Sequence, residues 1–345
     1  MHDSSRLMLP VVLGLRAGDW VQVRSKDEIL STLDDQGRLD GLPFQPEMLK
    51  YCNERLRVHK VAHKTCDTIL ERGDGRRMIN AVHLEGVRCD GSAHGGCQAE
   101  CLLFWKEAWL RRVEATDADF TINPRVTEQM LVAATQRTIA DGTGGEDSTV
   151  WSCQATRMLE ATKPLSWWDF RQYVRDVTSG NHGPWHMAKL LLFAAYRHAV
   201  RSGVGYSILI RLYNRIQAMR RARPYPVVAG KVADGSPTPA AKLDLQPGEW
   251  VEVKSPEEIM QTLARNGRNR GMRFDQEMLE FCGERYRVSA RVERLINEQT
   301  GKMMQMKTPC IRLENVYCRA VCSSKRLGCP RAIPPYWREI WLKRV

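Results

Sequence analysis

The chain repeats itself. Gly18 to Leu33, GDWVQVRSKDEILSTL, recurs as GEWVEVKSPEEIMQTL at Gly248 to Leu263, and PEMLKYCNERLRV at Pro46 to Val58 recurs as QEMLEFCGERYRV at Gln276 to Val288. The register continues through LEGVRC, ending at Cys89, against LENVYC, ending at Cys318. It closes with LLFWKEAWLRRV (Leu102 to Val113) against PPYWREIWLKRV (Pro334 to Val345). Four blocks in one order, separated by an unrelated stretch, restrict the fold to two like modules around something else. The 345 residues then divide into a first module at 12–115, a central domain at 116–225, a linker at 226–241 and a second module at 242–345.

Inside a module the pattern is mixed. GDWVQVRS places Val21 and Val23 on one face and Trp20, Gln22 and Arg24 on the other, the alternation of a half-buried strand. Ser25 and Glu28 are spaced as a capping box for the short helix DEILSTL, and PEMLKYC suits a second helix with Pro46 in its first turn. ERLRVHKVAHK and RRMINAVHLEGV read as further strands. An opening GDWV strand followed by other short strands resembles the SH3-like small barrel, which implies an α+β protein: two homologous small β-barrel-like modules with short helices, flanking a mainly helical central domain. In that domain TEQMLVAATQRTIADG has helical spacing up to Gly142, and HMAKLLLFAAYRHAV and ILIRLYNRIQAMRRAR predict two longer helices. PYPVVAGKVADGSPTPAAKLDLQPGEW has the composition of a linker.

Eleven cysteines are many for a chain whose opening residues show no secretory cleavage pattern, and an odd number fits poorly with a pure disulfide framework. In a reducing compartment, clustered cysteines point to metal or redox chemistry. Each module offers four: Cys66, Cys89, Cys97 and Cys101 in the first, and Cys310, Cys318, Cys322 and Cys329 in the second. Alignment on the repeats makes Cys89 equivalent to Cys318 and Cys97 to Cys329. Thiolates repel one another when crowded unless a cation holds them, so each set is expected to ligate a metal. Cys97/Cys101 and Cys318/Cys322 satisfy the short spacing of structural zinc, whereas the long gaps elsewhere suit an iron-sulfur cluster approached by the glycines Gly91, Gly95 and Gly96. His94 stands as an alternative fourth ligand, although a lone histidine among glycines is expected at the surface. Cys52 and Cys282 sit in matched apolar positions and are read as core. Cys153 is read the same way, and His182 and His186 only as a possible helical pair.

Other chemistry is excluded by pattern. There is no G-x-S-x-G, Walker-type loop, dinucleotide glycine motif or HExxH, and the glycine-rich GTGGEDS lacks a phosphate-binding lysine. No apolar run reaches the roughly 18 residues of a membrane span, so no membrane partner and a cytoplasmic location are expected. A formal charge of +12 makes an anionic partner plausible. Two classes follow. The first is an iron-sulfur protein in electron transfer or cluster-dependent catalysis, an oxidoreductase if an enzyme, working with a small-molecule substrate or redox partner. The second is a zinc-stapled tandem barrel that binds nucleic acid or an acidic protein. Purification separates them: the first class gives a brown protein that bleaches in air, the second a colourless one containing zinc.

Overall fold

The computed structural model describes residues 12–70, 74–113, 122–139, 148–203, 205–220 and 222–345. The chain forms two compact units. The first comprises Met1–Met187 with Ile296–Met304 and Cys329–Arg331; the second comprises Ala188–Leu295, Gln305–Gly328 and Ala332–Val345. Helices and strands are mixed in both, the strands forming several small antiparallel sheets. Among the described residues no helix is long and apolar enough to cross a membrane.

The largest sheet of the first unit runs in the order Trp105–Lys106, Ala81–Leu84, Arg55–Val61, Trp20–Val23, Leu110–Arg112. Its two edge strands are separated in sequence only by the one-turn 3-10 helix Glu107–Trp109, so the sheet must curl to bring both edges within reach of that turn. The result is half a barrel. Alternation sets its faces, for Val21 and Val23 are fully buried whereas Trp20 is 60% exposed. Trp20 lies opposite Arg57, and Val21 opposite Leu56 on one side and Arg112 on the other. In the second unit the same registers recur between the matched residues: Trp250 opposite Arg287, and Val251 opposite Tyr286 and Arg344.

The short helices start where the side chains dictate. Ser25 accepts from the Glu28 amide while the Glu28 carboxylate accepts from the Ser25 amide, and Ser255 and Glu258 repeat this reciprocal cap. Behind each sheet lies an aromatic core. Phe44 meets Trp105 and Trp109 edge to face at 6.1 and 5.1 Å; Phe274 meets Trp337 and Trp341 at 6.1 and 5.2 Å. A buried indole N–H usually finds an acceptor, and here one of each pair does, whereas Trp105 Nε1 and Trp337 Nε1 have none among the described residues. Trp109 Nε1 donates to Thr32 Oγ1 at 3.1 Å and Trp341 Nε1 to Thr262 Oγ1 at 2.9 Å.

Three expectations change. The helix beginning at Glu128 ends at Ala134, because the β-branched stretch after it forms the strand Gln136–Ile139, paired with Ser148–Trp151. Gly142 and most of GTGGEDS lie outside the described residues. PEMLKYC forms a 3-10 helix at Pro46–Tyr51. ERLRVHKVAHK is broken after Val61, and Lys64–Cys66 joins a separate sheet with Gly75–Arg77 and Lys163–Leu165. The matched strand of the second copy continues unbroken to Ile296. In the second unit the linker is laid down on its neighbours: a Cβ at Gly230 would stand 1.9 Å from the Ala264 carbonyl oxygen, and the Val232 amide donates to Leu263.

Replacing Thr32 or Thr262 by the isosteric Val leaves a buried indole N–H without its acceptor. Each change is expected to cost about 1–3 kcal/mol in urea denaturation. An unchanged midpoint would show that the hydroxyls are not needed.

Candidate metal centre

The loop from Cys89 to Cys101 is closed by its own backbone. The Cys89 amide donates to the Cys101 carbonyl, the amides of His94 and Gly96 both donate to the Gly91 carbonyl, and the Cys97 amide donates to the His94 carbonyl. Gly91 has φ +73°, and a Cβ there would lie 2.1 Å from the Cys97 carbonyl oxygen. At Gly95 the neighbour is the Trp151 ring, 2.6 Å from such a Cβ. These two glycines thus admit the loop's own backbone and a tryptophan, not a bulky cluster as their composition suggested. The same tight turn carries His94 inward. It is 1% exposed, the reverse of the surface position expected for it.

His94 meets a residue that the cysteine pattern did not single out. Glu47, on the 3-10 helix Pro46–Tyr51, offers Oε1 to the Cys89 thiol at 3.0 Å and lies 3.1 Å from His94 Nδ1. The three potential ligand atoms fall within 4.8 Å of one another, the one such group of three among the described residues. His94 Nε2 is 3.2 Å from the Ser152 carbonyl oxygen, an acceptor that fixes the ring. Gln45 Nε2 donates to Glu47 Oε1 at 2.6 Å and reaches the Cys89 sulfur at 3.7 Å. Gln45 is itself held, its Oε1 accepting from the Gln154 amide at 2.9 Å. Glu47 Oε2 is buried without a partner. Burial pushes the Glu47 carboxyl up, but the hydrogen bond and charge of His94 outweigh it and hold it below the ordinary range. Cys89 goes the other way, since burial and the adjacent Glu47 charge keep it firmly a thiol.

Beside this group is a small cavity of about 40 Å³, lined by Cys89, His94, Cys97, Cys101, Cys153 and Arg331 among others. Cys153, read from sequence as core, therefore faces the same space as the loop cysteines. Burial pushes the Cys101 thiol up to about 12 and Cys153 to about 11; at Cys101 the Arg331 charge works against this. Arg331 is itself buried, donating to Thr68 Oγ1 at 2.7 Å and to the Cys66 carbonyl at 3.4 Å, with Glu298 at 3.2 Å. Its charge is felt by Cys66, Cys101 and Cys329. Among the described residues all eleven cysteines are thiols, and no three sulfurs approach within single-ion range.

The set expected in the second module is not assembled. Cys329 belongs to the first unit, while Cys310, Cys318 and Cys322 belong to the second. The Cys310 thiol faces the Thr308 carbonyl at 3.7 Å and the Arg338 guanidinium at 3.6 Å, and the Cys322 thiol faces the Gln276 carbonyl at 3.9 Å. The Cys318 amide donates to the Ile333 carbonyl. Glu277 stands in the place of Glu47 and is equally buried, but it accepts from the amides of Val321 and Cys322 at 3.1 and 2.5 Å. Backbone thus fills the role that Cys89 and His94 fill in the first unit, and burial leaves the Glu277 carboxyl raised. Cys282 lies in the apolar core and Cys52 packs against the other. His182 and His186 stack with ring centroids 5.1 Å apart and join no three-donor group among the described residues.

No family model, curated protein or solved structure matches this chain. The site rests on its geometry alone. Glu47 was visible in one respect: PEML and QEML keep a glutamate at the same point of both copies, within a stretch that otherwise buries apolar side chains.

The raised thiols make a pH prediction for the metal-free chain. Unfolded cysteines ionise near pH 8.5, whereas folded Cys153 and Cys101 hold their protons to about 11 and about 12. Above pH 8.5 the unfolded state therefore binds fewer protons, and stability falls as pH rises toward the folded values. The melting temperature of metal-free protein should drop between pH 8.5 and 11, and Cys153→Ala should reduce the slope. Equal slopes in the two proteins would remove Cys153 as a contributor.

Proposed function

We propose that the first unit is a metal-binding domain, holding one divalent ion on Glu47, Cys89 and His94. The observation that carries this is the approach of a carboxylate oxygen, a thiol sulfur and an imidazole nitrogen to within 4.8 Å of one another. Mixed O, N and S donors with tetrahedral reach suit zinc best. The surroundings support the reading. With Nε2 directed at the Ser152 carbonyl, His94 has Nδ1 left to ligate, and Gln45 steadies both the carboxylate and the sulfur. Binding requires the Cys89 proton to leave, so affinity rises with pH. Glu47, Cys89 and His94 would supply three ligands, and a cavity adjoins Cys89 and His94. An ion held there would supply Lewis acidity. His94 is oriented by the Ser152 carbonyl, and Cys97, Cys101 and Cys153 line the adjoining space.

A second reading has its own observation. Cys97, Cys101 and Cys153 line one enclosure without any three sulfurs coming into single-ion range. An iron-sulfur cluster holds its cysteine sulfurs farther apart than one ion does, because each binds a different iron. Cys66 or Cys329, both under the influence of Arg331, would complete that set. On this reading the chain is an electron-transfer protein or a cluster-dependent oxidoreductase.

Anaerobic purification, elemental analysis and absorbance of four variants decide between them. About one zinc per chain, lost in Cys89→Ser and Glu47→Gln and kept in Cys101→Ser and Cys153→Ser, is the expected result. Iron with acid-labile sulfide, lost in Cys101→Ser and kept in Glu47→Gln, would establish the cluster instead. A wild-type protein free of both metals would reject both.

A further inference from the structure

The second unit carries a helical hairpin of unusual composition. From Ala188 to Ala233 the sequence has nine Lys or Arg and no Asp or Glu. The part of helix Pro184–Arg201 that belongs to this unit is joined to helix Tyr206–Met219 by an aromatic seam. Phe193 and Tyr196 lie 6.0 and 5.5 Å from Tyr213, Tyr225 caps Tyr213 at 5.5 Å, and the Tyr196 hydroxyl donates to the Leu209 carbonyl. That seam uses the inner face only. The second helix buries none of its residues fully.

Its outer face is a stripe of aliphatic side chains at helical spacing: Ile208, Leu212 and Met219, exposed by 69%, 52% and 73%. Arg211, Arg215 and Arg220 are exposed along the same helix and its end. Leu192 on the preceding helix is 73% exposed as well. Large apolar side chains lined up in water mark a surface meant to be covered. The charge narrows what covers it. A second copy of the hairpin brings cations against cations and is repelled. Nucleic acid satisfies the arginines, but recognition of its bases relies on stacking, which isoleucine, leucine and methionine do not provide. An anionic bilayer surface satisfies both at once, because aliphatic side chains enter the acyl boundary while arginines reach the headgroups.

We infer that the helix Tyr206–Met219 docks the protein on a membrane surface bearing anionic headgroups. Ile208, Leu212 and Met219 enter the interface, and Arg211, Arg215 and Arg220 pair with headgroup oxygens. The expectation of no membrane partner concerned spanning segments; lying on a surface needs only this exposed, cationic face. It is independent of which metal the first unit holds.

Flotation of the full chain with vesicles tests it. Binding is expected to vesicles of phosphatidylglycerol and phosphatidylcholine, to be absent with phosphatidylcholine alone, and to weaken with salt. The double variant Ile208→Glu/Leu212→Glu should bind at least about tenfold more weakly. These side chains face solvent, so the fold is expected to survive, which a thermal melt checks. Arg265→Glu, an exposed charge reversal outside the hairpin, should float like wild type. The inference is overturned by failure to float with anionic vesicles at low salt, by equal flotation of the double variant, or by retention on polyuridylate in place of vesicles.

Discussion

Each unit depends on burying two tryptophans against one phenylalanine, with an acceptor for only the second of the two indole N–H groups: among the described residues, Trp105 Nε1 and Trp337 Nε1 are buried without a hydrogen-bond partner. Trp105 and Trp109 are fully buried in the first unit, as Trp337 and Trp341 are in the second, and a threonine on the far side of each core accepts the second indole's hydrogen bond. This contact fixes the turn between the sheet's two edge strands and thereby its curvature. Because Phe104 and Trp105 are anchored, the chain just before them is anchored too. The loop carrying Cys89, His94, Cys97 and Cys101 therefore runs between the strand Ala81–Leu84 and the buried pair Phe104 and Trp105.

The same scaffold carries different interiors in the two units. Glu47 and Glu277 are buried at the same point of the same 3-10 helix, yet one is met by a thiol and an imidazole and the other by two backbone amides. The Glu277 carboxylate is satisfied by backbone amides, whereas Glu47 faces two side chains of potential ligand type. The two units thus repeat strand registers, caps and an aromatic core while differing around this glutamate.

Much of the fold was legible from the chain, because its cause is local or doubled. The strand alternation at Val21 and Val23, the caps at Ser25 and Ser255 and the long helices ending at Arg201 and Met219 all follow from side chains near in sequence. The site was legible only in part. Cys89 and His94 announced themselves by residue type, but Glu47 was hidden inside an apolar helix pattern, and Cys153 looked like any small core residue. Equivalence between the copies misled in the other direction: aligning Cys97 with Cys329 implied two separate thiol sets, whereas Cys329 belongs to the first unit. Tertiary placement that brings residues more than two hundred positions apart into one unit leaves no periodic trace.

That placement has a consequence for how the cavity comes into being. Its lining includes Glu298 and Arg331, supplied by two short stretches translated long after the loop they face. The cavity lining is therefore complete only when Ile296–Met304 and Cys329–Arg331 have joined the unit, and a chain ending before residue 298 has the loop cysteines but lacks Glu298 and Arg331 from the wall beside them.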